Sequence, residues 1–142
     1  MKRADFYLLS ANAPPEAALN FACRLADKAF QLGHRVYLHT ASAEQSARLD
    51  ELLWTFRQDS FVPHACYDQP LAAAAAVVIG HGVPPPEWND VLLNLGAELA
   101  PAHERFARIG EVVAYPQRQA ARNRYQHYKS LGYLMEHHDV PG

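Results

Sequence analysis

Residues 6–38 read FYLLSANAPPEAALNFACRLADKAFQLGHRVYL, and this stretch decides the fold class. Phe6-Tyr7-Leu8-Leu9 is a short aromatic and aliphatic run that Pro14 and Pro15 stop, and prolines there also suit the first turn of a helix. From Glu16 to Leu32 the apolar positions Leu19, Ala22, Cys23, Ala26, Ala29 and Phe30 recur at steps of three and four, which is a helical stripe. Gly33 stands where a left-handed C-terminal cap belongs, and Val36-Tyr37-Leu38 resumes extended structure. Strand, helix and strand in one short span predict a parallel crossover unit.

Working outward, Ser42 with Gln45 three residues on forms a capping-box pattern, and Ala47, Leu49, Leu52, Leu53 and Phe56 carry a second helix. Val77-Val78-Ile79 reads as a buried strand, Val91 to Leu95 as a fourth, Ala102 to Ala107 as a short helix and Ile109 to Tyr115 as a fifth strand. Pro116 ends that strand, Gln117 to Leu131 is a final helix and Gly132 its stop. The expectation is an α/β fold: a single domain over 1–132, with an open, mostly parallel sheet of about five strands and helices on both faces, followed by a partly disordered tail over 133–142.

The chain has 142 residues, 13 Lys+Arg against 15 Asp+Glu and a formal charge of −2. A chain of this length buries roughly two-thirds of its unfolded surface, enough for one core. A near-neutral average gives no long-range pull toward nucleic acid or anionic lipid, so no direct DNA contact and no membrane are expected. Cys23 and Cys66 form no CxxC pair or disulfide framework and are expected to be reduced thiols. The apolar run near the start is too short for a signal-peptide core, and no stretch reaches the roughly 18 apolar residues of a membrane span. The expected location is cytoplasmic.

Signatures of catalysis are sparse. The turn after the first strand has no glycine to cradle a pyrophosphate, and Gly80-His81-Gly82 runs into three prolines rather than a helix. Of eight histidines, only His64 sits close to a cysteine, Cys66, and two ligands fall short of a zinc site. No cofactor and no metal are expected. A small doubly wound enzyme or nucleotide-binding protein is the alternative.

The charge is unevenly spread. Between Gln117 and Gly132 stand Arg118, Arg122, Arg124 and Lys129 with no acid, and Arg118, Arg122, Tyr125 and Lys129 share one helical face. Three readings compete: cations that favour a helix C-terminus beside core tyrosines, a nucleic-acid contact, and a seat for an acidic peptide ending in an apolar residue and a free carboxylate. A second constellation, Trp54 with Phe61 and Pro63, is either core or the wall of a docking pocket for a partner.

Taken in order, Phe6-Tyr7-Leu8-Leu9, Arg48-Leu49-Asp50 with Leu53-Trp54, Ser60-Phe61-Val62-Pro63-His64, Glu111-Val112-Val113 and Arg122-x-Arg124-Tyr125 with Tyr128 and Gly132-Tyr133 resemble the chi-subunit family of the bacterial DNA polymerase III holoenzyme, within its clamp-loader assembly. The resemblance implies a subunit, not itself catalytic, that bridges two partners. One is the psi subunit of the clamp loader, met through Trp54, Phe61 and Pro63 on a surface that a related helicase shares. The other is the acidic, Phe-terminated tail of single-stranded DNA-binding protein, met through Arg118, Arg122 and Tyr125, with Lys129 in support and Tyr115 as the apolar floor.

Overall fold

The computed structural model describes residues 2–14, 16–56, 62–66 and 75–140. β1 (Arg3–Leu9) leads through α1 (Ala17–Gln31) to β2 (Val36–His39), and α2 (Ala43–Thr55) leads to β3 (His64–Cys66). β4 (Val77–Gly80), β5 (Val91–Asn94) and β6 (Arg108–Val113) follow, then α3 (Arg118–Ser130) and β7 (Leu134–Val140). The strands form one sheet in the order β3-β4-β2-β5-β6-β1-β7, and every adjacent pair is parallel.

Central strands of a parallel sheet are covered on both faces, which is why β2, β4 and β5 are buried along their whole length. On one face Ala22, Cys23 and Ala26 of α1 and Leu49, Leu52 and Leu53 of α2 pack on Val36, Leu38, Ile79 and Leu93. On the other, Ala121 and Tyr128 of α3 join Trp88 and Phe106 over Phe6, Tyr37, Val78 and Ile109. Helices therefore cover both faces, as expected.

The local signals for helix ends are present. The Ser42 hydroxyl accepts a hydrogen bond from the Gln45 amide at 3.1 Å, and the Gln45 side chain accepts one from the Ala41 amide at 2.7 Å. Gly33 (φ +89°) and Gly132 (φ +83°) both take the left-handed conformation that lets a helix end without a Cβ clash. Burial pushes the Cys23 thiol up to about 12, so it serves as a packing residue. Among the described residues no helix is long and apolar enough to cross a membrane.

Four details differ from expectation. Among the described residues the sheet has seven strands rather than about five. β3 is short and sits at an edge, where three residues give little pattern to read. The short helix over 102–107 is a single 3-10 turn, His103–Arg105, and the strand before Pro116 ends at Val113, with Pro116 inside another 3-10 turn, Tyr115–Gln117, that feeds α3. Most consequential, 134–140 is not a loose tail. It is β7, paired along its length with β1 from Arg3↔Leu134 to Leu9↔Val140.

Leu-Met-Glu-His-His-Asp-Val has no strand-like alternation, because side-chain chemistry beyond hydrophobicity docks it. Arg3 bridges Asp5 and Glu136, each at 2.9 Å, while His138 lies 3.1 Å from Asp5 and stacks on Tyr7 with ring centroids 5.0 Å apart. Burial pushes the Asp5 carboxyl upward, but hydrogen bonds from Arg3 and His138 and the charges of Arg3 and Arg108 outweigh it and hold the group below its ordinary value of 3.8. A carboxyl lowered in the folded state contributes stability above that ordinary value and loses it as pH falls through the folded one. Asp5→Asn is thus expected to lower unfolding free energy near pH 6 by about 1.5–3 kcal/mol, the scale of hydrogen bonds to a charged group. In urea titrations repeated from about pH 6 down to about pH 2.5, the difference from wild type should shrink toward the acid end.

Candidate functional site

α3 crosses the sheet over β1, and its placement starts from a charge that faces inward. Glu111 on β6 is completely buried. It accepts hydrogen bonds from Arg124 Nε at 3.0 Å, Tyr128 Oη at 2.7 Å and Asn94 Nδ2 at 3.1 Å. Arg124 also donates to the Ala97 carbonyl. Arg124 therefore does not contribute to a surface stripe; its charge is spent on Glu111. The sequence count of four cations on the last helix comes down to three facing outward, Arg118, Arg122 and Lys129.

With Arg124 and Tyr128 turned into the core, the helical period turns Arg118, Arg122 and Tyr125 toward the outer end of the sheet. There they meet Phe6 and Leu8 of β1 and His137 of β7 around a groove of about 230 Å³. Phe6, Leu8 and Ala121 form an apolar floor, and Tyr125 closes one side with its ring edge-on to Phe6 at 5.3 Å. Arg118 and Arg122 stand at the rim, and neither has an acidic partner among the described residues. Arg48, by contrast, pairs with Glu16 and Glu51 and belongs to a solvated face. Arg118 is held by a 3.0 Å hydrogen bond to the Leu9 carbonyl and by its position 4.9 Å over the Tyr115 ring, yet its buried Nε has no partner.

Chemically, the groove offers an apolar slot flanked by two uncompensated guanidinium groups. That combination suits a ligand with an apolar end and carboxylates beside it. Tyr115 is half exposed and supports Arg118 from outside, so the floor expected of it is supplied by Phe6 and Leu8 instead. Lys129 lies one turn beyond the groove lining on the same helical face. His137 joins the groove lining from β7, a strand whose composition gives no signal of pairing in the sequence.

The aromatic constellation lies elsewhere. Trp54, 59% exposed near the end of α2, packs against the His64 ring of β3 at 4.8 Å. The His64 Nδ1 donates to the Val62 carbonyl at 2.6 Å, and its Nε2 lies 3.3 Å from an Asp50 oxygen, so the ring sits between β3 and α2. Pro63 is half-buried next to it, and Phe61 lies outside the described residues. Among the described residues one trio, Asp5, Glu136 and His138, brings ligand-type atoms together. Arg3 already spans its two carboxylates, which makes it the ion-pair seam of β1 and β7 and not a cation cage.

Residues 1–136 match the family model described as DNA polymerase III chi subunit, HolC, a match that runs from β1 through α3 into β7. The chain belongs to the DNA polymerase III chi subunit family. It is 41% identical to DNA polymerase III subunit chi of Pseudomonas aeruginosa over 99% of both chains. It is also 30% identical to the Escherichia coli K12 subunit, over 94% of this chain and 95% of that one, and 27% identical to that of Haemophilus influenzae over 98% of each. Family membership gives the chain an accessory role in DNA replication, as a subunit of a DNA polymerase III holoenzyme rather than its catalyst.

Because α3 is seated by Glu111, the network should dominate stability as well as site geometry. Glu111→Ala leaves Arg124 buried without its counter-ion and is expected to cost about 3–5 kcal/mol in chemical denaturation. Replacing both partners with apolar residues, Glu111→Leu with Arg124→Met, should recover most of that loss.

Proposed function

We propose that this chi-family chain is a tether: its α3–β1–β7 groove takes the acidic, Phe-terminated tail of single-stranded DNA-binding protein, and its Trp54 end takes the psi subunit of the clamp loader. The observation that carries the first half is the pair of rim arginines without acidic partners beside an apolar floor. Aspartates and the terminal carboxylate would meet the guanidinium forks of Arg118 and Arg122, and the terminal aromatic ring would enter the slot over Phe6 and Leu8 against Tyr125. Supporting the second half, Trp54 is a large exposed aromatic on a rigid helix, which is what anchors at partner interfaces commonly are.

The placement of the two surfaces favours simultaneous use. Trp54 stands over the β3 edge on the α1–α2 face, and the groove lies at the β7 edge on the α3 face. Five to six strand spacings separate them, on the order of 25 Å. Neither partner would block the other. A weak hold on a tail displayed in many copies along coated single-stranded DNA, joined to a firm hold on the clamp loader, raises effective concentration without any new contact. Both partners would be met in the cytoplasm.

Arg122→Ala is expected to weaken binding of a synthetic acidic tail peptide by about 1.5–3 kcal/mol, the scale of a charge-assisted hydrogen bond, with circular dichroism unchanged. Calorimetry showing wild-type affinity in that variant would remove Arg122 from the site. Trp54→Ala should abolish co-purification with psi while leaving the peptide isotherm as it was. Loss of both activities together would mark Trp54 as a structural residue.

A further inference from the structure

We infer that His137 is a third recognition residue of the groove, a proton-switched cation that joins Arg118 and Arg122 in holding the carboxylates of an acidic peptide. This rests on the reading of the groove as an acidic-peptide site and adds to it a residue from a different element.

The argument begins with the paired histidines of β7. Successive strand residues point to opposite faces, so His137 and His138 cannot serve the same surface. His138 faces α1, where Asp5 and Tyr7 engage it. His137 is in register with Phe6 and shares its face, and it lines the groove opposite α3. Its ring is exposed and has no hydrogen bond or ion pair among the described residues, so both nitrogens are available to a ligand.

The electrostatic surroundings set the sign of the effect. From α3, Arg118, Arg122 and Tyr125 face the same groove; from β1 come only the apolar side chains of Phe6 and Leu8. Along β7, Met135 and Asp139 share the face of His137, and among the described residues no further strand packs outside β7. In the empty groove the ring faces Arg118 and Arg122 across the slot, with Asp139 on the same face of β7. A bound peptide carboxylate brings an acceptor into that slot, which an imidazolium can meet with a charged hydrogen bond. Binding then takes up a proton, and affinity rises as pH falls through the range in which imidazole titrates. An anion that stabilises a neighbouring imidazolium by the equivalent of one pH unit gives at most a tenfold gain, so a three- to tenfold change is expected.

The test uses the full chain and an N-acetylated, aspartate-rich peptide ending in phenylalanine with a free carboxylate, whose own acids do not titrate near neutrality. Between about pH 8 and about pH 6, wild type should bind three- to tenfold more tightly. His137→Gln should bind weakly with a flat pH profile, and His137→Lys tightly with a flat one. Calorimetry in two buffers of different ionisation enthalpy should register proton uptake by wild type and almost none by His137→Gln. If His137→Gln keeps the wild-type pH profile and proton uptake while Arg122→Ala still weakens binding, the role of His137 is overturned and the groove reading stands. If wild type binds the peptide at no pH in this range, the groove reading fails and this inference with it.

Discussion

The structure depends on a carboxylate that has been taken wholly out of water. Glu111 lies in the middle of β6 between β5 and β1, where a charge is tolerable only if its acceptor capacity is filled. Three donors fill it, and two of them, Arg124 and Tyr128, come from α3 four residues apart. A helix that must present those two side chains to one buried point has almost no rotational freedom about its axis. The same constraint faces Arg118, Arg122 and Tyr125 toward β1 and β7, so the geometry of the groove is set by an interaction in the interior that touches no ligand.

The second constraint is the docking of β7. Without that strand, Phe6 and Leu8 would form an open edge and the groove would lack a wall. Pairing with β1 supplies the backbone bonds, and the Arg3, Asp5, Glu136 and His138 seam fixes which face each residue of β7 presents. A slip of one residue would exchange His137 with His138 and turn Asp139 to the opposite face. The ion pairs thus act on register as well as on stability: the exposed Arg3–Glu136 pair contributes little energy by itself, while the buried Asp5 carboxylate carries most of the stabilisation and pins the face that His138 presents.

How far these features can be read from the chain follows from the range of the signals involved. α1, α2 and α3, the Ser42 cap and the stops at Gly33 and Gly132 rest on local periodicity and backbone conformation, which neighbours in sequence determine. The central strands announce themselves because burial on both faces demands uninterrupted valine, leucine and isoleucine. β7 does not, because its partners Arg3, Asp5 and Tyr7 lie more than 100 residues away and its composition is that of a solvated tail. The inward role of Arg124 is hidden for the same reason: nothing near it in sequence says that Glu111 will be 3.0 Å away. Arg118, Arg122 and Tyr125 were legible since they follow from helical spacing alone, whereas Phe6, Leu8 and His137, which complete the groove, required the sheet order. Tyr115 lies outside the groove lining because the 3-10 turn around Pro116 sets its ring 4.9 Å from the Arg118 guanidinium.

A net charge of −2 is compatible with an anion-binding surface once the cations are sorted by what they touch. Arg3, Arg48 and Arg124 are each paired with acids, and their fields cancel at short range. Arg118 and Arg122 are left uncompensated over a patch of low polarity, where screening by water is weaker than on an open surface. The protein therefore carries a local positive field without a global field that would draw it to nucleic acid directly. That separation is what the proposed tether would need: a basic average would make it compete for the template, while a confined basic groove beside an apolar floor favours a ligand that offers charge and an apolar end together.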